Sequence, residues 1–233
     1  EFACLCRFRN MAPFYAALGI LVKGLTPGVD AGQGDTMGHK LVWQGGTVLG
    51  PLPLVLVTSR GPDGRANLMT AAWCGIVCTK PPMLSVSIRP ERLTAEYVDA
   101  SGEFGLNLVA ADMVRQADWC GVKSGREYDK FAECGLTALP ASKISAPLVG
   151  ESPLSLECTV RERLVLGSHI LYIAAIEAVQ VDADLVDSSG ALDMGRAGLA
   201  AWCHGQYHSI GEDLGYFGFS VRRRSRIRRE RRV

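Results

Sequence analysis

Between Pro53 and Asp184 the apolar residues fall mostly into short runs with strand periodicity. "PLVLVTS" (53–59) is a β-branched run, and "RGPDGR" (60–65) brings Pro, Asp and Gly together as a hairpin turn. "MLSVSI" (83–88) alternates, with Leu84, Val86 and Ile88 on one side and Met83, Ser85 and Ser87 on the other. "EFGLNLV" (103–109), "LSLECTVRERL" (154–164) and "HILYIAAIEAVQVDAD" (169–184) extend the list of strands. Helical spacing interrupts this pattern at "RLTAEYVDAS" (92–101) and "AADMVRQADWCG" (110–121), and again at "REYDKFAECG" (126–135), a short helix ended by Gly135. Strands outnumber helices, and no strand–helix–strand alternation runs the full length. The pattern predicts a mainly β fold with added helices, a closed or nearly closed barrel rather than a doubly wound parallel sheet.

Composition agrees with a folded chain. Of 233 residues, 48% are hydrophobic and 21% charged, enough for a sizeable core. The strongest apolar run, "MAPFYAALGILV" (11–22), falls short of the roughly 18–20 residues of a spanning helix, so no membrane association is expected. The net charge of +1 conceals an asymmetry. Eight arginines and one glutamate lie in "RRRSRIRRERRV" (222–233), which leaves the body acidic. Nucleic acid is therefore not an expected partner, and the tail reads as an appended end. Residues 1–36 read as a non-native or disordered leader, with a weak signal peptide over 11–22 as the alternative. "MGHKLVWQGG" from Met37 resembles a natural start, so the folded body is expected over 37–221.

The eight cysteines have no C-x2-C spacing, and no histidine stands at zinc-finger distance from a pair. No metal site is expected, and free thiols in a cytoplasmic protein are the reading adopted. Cys74 and Cys78 in "AAWCGIVCTKPP" (71–82) raise the alternative of a thiol-based redox or metal protein. In a regular strand, a spacing of four puts both on one face with Cα atoms about 13 Å apart, too far for a disulfide. Around them, "NLMTAAWCGIVCTKPPMLSVSIRPERLT" (67–94) combines small residues, which admit a ligand close to the backbone, with hydroxyls and two arginines. Arg89 and Arg92 after a strand make either a phosphate clamp or a solvated basic turn. G-x-G-x-x-G, P-loop, G-x-S-x-G and H-E-x-x-H patterns are absent.

"TAAWCGIVCTKPPMLSVSIRPERLT" (70–94) resembles the signature block of the flavin reductase-like, FMN-binding split-barrel family, particularly its flavoredoxin branch. "EFGLNL", "CGVKSGREYDKFAECGL" (120–136), "LSLECTV", "LGSHILYIAAIEAV" and "HGQYHSIGEDLGYFGFSV" resemble later blocks in the family's order, over roughly 41–221. The resemblance implies a split β-barrel homodimer that binds FMN. Asn67, Met69, Thr70, Ala71, Ala72 and Trp73 would line the isoalloxazine, largely through backbone groups. Cys78, Thr79, Arg89, Arg92 and Thr94 would surround the ribityl phosphate, and Asn107 and Leu108 would meet the flavin edge. Ser124, Gly125, Arg126 and Lys130 would close the site, with Arg126 and Lys130 on one helical face and Asp129 bracing either cation. His169 in "GSH" (167–169) would sit beside the nicotinamide of NAD(P)H, or else be a strand-edge histidine; His204 and His208 read as structural. The implied activity transfers electrons from NAD(P)H through FMN to flavin, iron or a protein acceptor. The alternative within the family is an FMN electron carrier without NAD(P)H activity.

Overall fold

A computed structural model describes residue 40 and residues 44–221. The leader expected over 1–36 and the Arg-rich tail at 222–233 lie outside the described residues. The chain divides after Val48, and the fold is that of the unit beginning at Leu49.

The runs read as strands form one antiparallel sheet. Its members are β2 (Val55–Arg60), β3 (Ala66–Ala71), β4 (Cys74–Thr79), β5 (Pro82–Ile88), β6 (Glu103–Leu108), β9 (Leu154–Leu166) and β10 (His169–Val181), in spatial order β3-β2-β6-β9-β10-β5-β4. The two terminal strands, β3 and β4, are consecutive in sequence and joined only by Ala72 and Trp73. The sheet therefore has to curl until its ends meet at that corner, where Ser87 N donates to Trp73 O at 2.8 Å. The result is the expected mainly β, nearly closed barrel.

Alternation decides what fills it. Leu84, Val86 and Ile88 of β5 point inward and join Val55, Val57, Met69, Ala71, Phe104 and Tyr172 in one core. Helix α1 (Leu93–Ser101) plugs this core with Ala95 and Val98, and ends at Gly102, whose φ of 71° suits glycine. The opposite faces of β2 and β3 bury Leu56 and Leu68, with Leu54 just before β2, against α2 (Val114–Val122) and α3 (Lys130–Cys134). Small sheets complete the unit: β1 (Leu52–Pro53) pairs with β11 (Ala200–Cys203), β11 pairs with β12 (Gln206–Ser209), and β7 (Ala138–Leu139) pairs with β8 (Leu148–Val149). No helix among the described residues is long and apolar enough to cross a membrane.

Two local expectations are corrected. The helix read over 126–135 begins only at Lys130. Asp129 caps it, accepting from Phe131 N at 3.1 Å and Ala132 N at 3.3 Å. Arg126 lies before the helix, so Arg126 and Lys130 share no helical face, and Asp129 serves the cap rather than a cation. The second correction concerns β4. Its pairing with β5 runs Cys74↔Val86, Gly75↔Ser85, Ile76↔Leu84 and then Cys78↔Met83, so Val77 is an extra, bulged residue. The bulge reverses the parity. Cys74 shares the face of Val86 and packs on the core, while Cys78 shares that of Met83, on the other side of the sheet.

Candidate functional site

The N-terminus of α1 forms the first of two groupings of predicted site residues. Arg92 is its N-cap, with an extended backbone (φ −76°, ψ 136°) and no side-chain capping bond. The first N–H groups of a helix lack intrahelical acceptors and carry the positive end of its dipole. Thr94, in the first turn, is buried and accepts a hydrogen bond from Asn67 Nδ2 at 2.8 Å, which ties α1 to β3. The loop between α2 and α3 closes over this pair. Gly125 lies so tightly on Asn67 that a Cβ would stand 2.9 Å from Asn67 Cγ. Ser124 Oγ accepts from Arg126 N at 3.2 Å, and Arg126 extends to an exposed pair with Glu96 at 2.8 Å. Lys130 is buried, with Nζ donating to the Cys120 carbonyl at 2.7 Å. Burial pulls its ammonium down to about 8, assisted by the charge of Arg92 and opposed by Cys120 and Cys134.

The second grouping stands at the corner where the barrel closes. The Trp73 and His169 rings lie 4.5 Å apart at an interplanar angle of 44°. His169 shares a hydrogen bond between Nδ1 and Ser168 Oγ at 2.9 Å. Its imidazole is held below 6.5, first by burial and then by the charge of Arg89, with Glu91 opposing. Arg89 itself forms an exposed pair with Glu91 at 2.8 Å.

β3 connects the two. Asn67 lies at its start and Trp73 just past its end, while on the other side Arg92 N donates to Arg89 O at 3.1 Å, so the two groupings adjoin. Because β3 is a terminal strand, alternate backbone groups along it face away from β2. A span with helix N–H groups and cations at one end and an aromatic wall at the other fits a ligand that is anionic at one end and a flat ring at the other. FMN has that form.

Other predicted residues do not converge on this span. The Asn107 amide is fully committed inside the barrel. Its Nδ2 donates to Leu56 O (2.9 Å) and Thr58 Oγ1 (3.3 Å), and its Oδ1 accepts from Val149 N (2.9 Å) and Ser155 Oγ (2.8 Å). No bonding capacity is left for a flavin edge. Leu108 instead lines an apolar cavity of about 330 Å³ with Pro53, Val109 and Ile210. Met69 and Ala71 turn their side chains into the core, and the Thr70 hydroxyl donates to Ala117 O of α2. Cys78 and Thr79 stand at the turn end of the β4–β5 hairpin, whereas Arg89 follows the opposite end of β5, roughly 20 Å away. The five residues expected around one phosphate therefore do not surround one point.

Sequence reasoning passed over three features. Arg65 Nη2 donates to the carbonyls of Gly125 (2.7 Å) and Tyr128 (3.1 Å), holding the loop; its place in a turn motif gave no signal of this. Cys120 and Cys134, on different helices, have their sulfurs 3.5 Å apart. The fully buried Glu157 gathers Ser142 N, Lys143 N, Ser142 Oγ and Gln180 Nε2 around its carboxylate. Among the described residues no group of three or more His, Cys, Asp or Glu could hold a metal ion.

Known proteins share this architecture. The flavoredoxin of Desulfovibrio vulgaris (Miyazaki F) superposes with a TM-score of 0.74 at 32% identity, covering 80% of this chain and 100% of that one. A protein of Shewanella frigidimarina NCIMB 400 described as having a split barrel domain gives a TM-score of 0.66 at 25% identity, over 72% of this chain and 85% of that one. The Escherichia coli protein named FMN reductase (NADH) RutF is 26% identical over 128 residues, 53% of this chain and 73% of that protein. The fold is thus the split β-barrel. Residues 50–211, which include every strand from β1 to β12, match the family described as the flavin reductase like domain, and the chain belongs to that family.

Proposed function

We propose that the chain binds FMN along β3, phosphate toward Arg92 and ring toward Trp73, and transfers electrons from NAD(P)H to flavin, iron or a protein acceptor. The observation that carries this reading is the Trp73–His169 wall joined by one strand to the uncapped N-terminus of α1. Bound FMN would supply the hydride-accepting and electron-releasing chemistry. The chain supplies position. The first N–H groups of α1, with Arg92 and the Ser124 hydroxyl, balance the phosphate charge. Lys130 adds its charge from below without direct contact. Trp73 shields one side of the ring from water. Nδ1 of His169 is paired with Ser168 Oγ; in the neutral tautomer that accepts from this hydroxyl, the proton is on Nε2 and can be donated to a nicotinamide carboxamide oxygen. Cys78, Thr79 and the Asn107 side chain fall outside this path.

Homodimerisation in the cytoplasm belongs to the same reading. It is supported by apolar side chains left outside the core, notably Ile76 and Val77 of β4 and Val165 at the tip of β9. The likeness to a flavoredoxin supports a second reading, an FMN electron carrier that does not use NAD(P)H.

The test is an FMN titration of purified protein, followed by anaerobic mixing with NADH and with NADPH. Tight uptake and bleaching of the flavin colour by one nicotinamide are expected. Protein that takes up no FMN overturns the proposal, and a holoprotein inert to both nicotinamides selects the carrier reading.

A further inference from the structure

We propose that Cys120 and Cys134 are a dithiol switch, closing to a disulfide that clamps the loop over 123–129. The two thiols are free, and their sulfurs lie 3.5 Å apart across the α2–α3 junction. Disulfide sulfurs sit about 2.05 Å apart, so closure asks for an approach of about 1.5 Å. Cys134 can supply it. It is the last residue of a five-residue helix and is followed by Gly135, which holds a φ of 61°. Fourteen positions separate the cysteines, and between them lie Ser124, Gly125, Arg126, Asp129 and Lys130.

The two sulfurs are not equivalent. Cys120 is fully buried while Cys134 is partly exposed, so a small oxidant meets Cys134 first. Hydrogen peroxide, a two-electron oxidant, transfers one oxygen to Cys134, giving the sulfenic acid and one water. The Cys120 sulfur then attacks the Cys134 sulfur, the S–O bond breaks, and the oxygen leaves as a second water with the Cys120 proton. Two thiols are oxidised and one peroxide is reduced to two waters. Burial raises the Cys120 thiol to about 12, which slows the attack. The Lys130 ammonium, bonded to the Cys120 carbonyl at 2.7 Å, works in the opposite direction by favouring the thiolate. A thiol in a low-peroxide setting therefore stays reduced, and the pair responds to sustained oxidant.

The disulfide stands apart from the FMN reading; its effect on ligand affinity rests on that reading. Full-length protein is treated with peroxide, alkylated under denaturing conditions and mapped by mass spectrometry, with and without dithiothreitol. The expected product is a dithiothreitol-sensitive cross-link between the Cys120 and Cys134 peptides, absent from Cys134→Ser and Cys120→Ala. Hydrogen exchange over 123–129 slows in the oxidised wild type and is unchanged by peroxide in Cys134→Ser. FMN binding tightens about 3–10-fold on oxidation, because the loop is preorganised. The proposal is overturned if both cysteines remain alkylatable, if Cys134 over-oxidises without capturing Cys120, or if exchange of the loop does not respond to the cross-link. A cross-link that forms in protein unable to take up FMN overturns the ligand reading alone.

Discussion

Asn67 on β3 and Thr94 at the start of α1 are joined by a 2.8 Å hydrogen bond between two buried side chains. That bond fixes the entry of the helix against the terminal strand, and Gly125 rests directly on it. A Cβ at 125 would collide with the Asn67 amide and come within 3.2 Å of Leu93 Cδ2. Gly125→Ala is therefore expected to destabilise the fold by roughly 1–3 kcal/mol through overpacking. It should also weaken FMN uptake. Adding Asn67→Ala should recover part of the melting temperature without restoring FMN affinity, and full recovery of both would place the loop outside the site.

His169 should titrate below 6.5, because burial and then Arg89 disfavour its charged form. A depressed folded value means that its contribution to stability is present above about 6.5 and is lost as pH falls through the folded midpoint. Proton NMR of the imidazole gives the midpoint directly. Arg89→Ala should move it upward, and a wild-type midpoint at or above 6.5 would sink the assignment.

Glu157 anchors the 142–143 backbone to the barrel. Burial by itself would raise its carboxyl; bonds from Ser142 N, Gln180, Lys143 N and Ser142 Oγ outweigh that and hold it below 4.5. The stability it supplies is present above about 4.5 and disappears as pH falls through the lower folded value. Glu157→Gln turns an all-acceptor group into one that must aim N–H at N–H, with an expected loss of about 2–4 kcal/mol. Thermal melts from pH 3 to 7 should show a weaker acid dependence in the variant than in the wild type.

Base should act through two opposed groups. Burial raises Cys74 and Cys158 from 9.0 to about 12. The unfolded chain releases these protons first, so stability falls as pH rises from 9 toward 12. Lys130 is depressed from 10.5 to about 8, so stability rises between those values as the folded chain sheds its buried proton first. Denaturant melts should therefore show a rise just above pH 8 and a decline above 9. Lys130→Met should erase the rise, and Cys158→Ala should soften the decline.

What the sequence disclosed follows the reach of each interaction. Strands β5 and β10 were visible because period-2 burial is written locally, as in Leu84, Val86 and Ile88. The start of α3 was not, because "REYDKF" has helical composition and only the Asp129 cap bonds say where the helix begins. Asn107 was expected at the flavin edge only because "EFGLNL" resembles a block of the family. Its four partners come from three other strands, β2, β8 and β9, which no local pattern can display. Cys74 and Cys78 drew attention by proximity in sequence, while the sulfurs that meet are fourteen positions apart. The cation and hydroxyl cluster around Arg92 and Ser124 was legible only through ordered motif blocks, since each block alone reads as a solvated turn.

The extra residue in β4 also bears on how copies of this chain can associate. β4 is an outer strand of the sheet, and Ile76 and Val77 stand exposed on it. A straight apolar outer strand is a template on which another chain can continue the ladder, the route to uncontrolled polymers. Val77 interrupts the hydrogen-bonding rhythm there, so an incoming strand finds no uninterrupted row of donors and acceptors. A copy that met this edge would do so through the exposed Ile76 and Val77 side chains rather than through an unbroken backbone ladder.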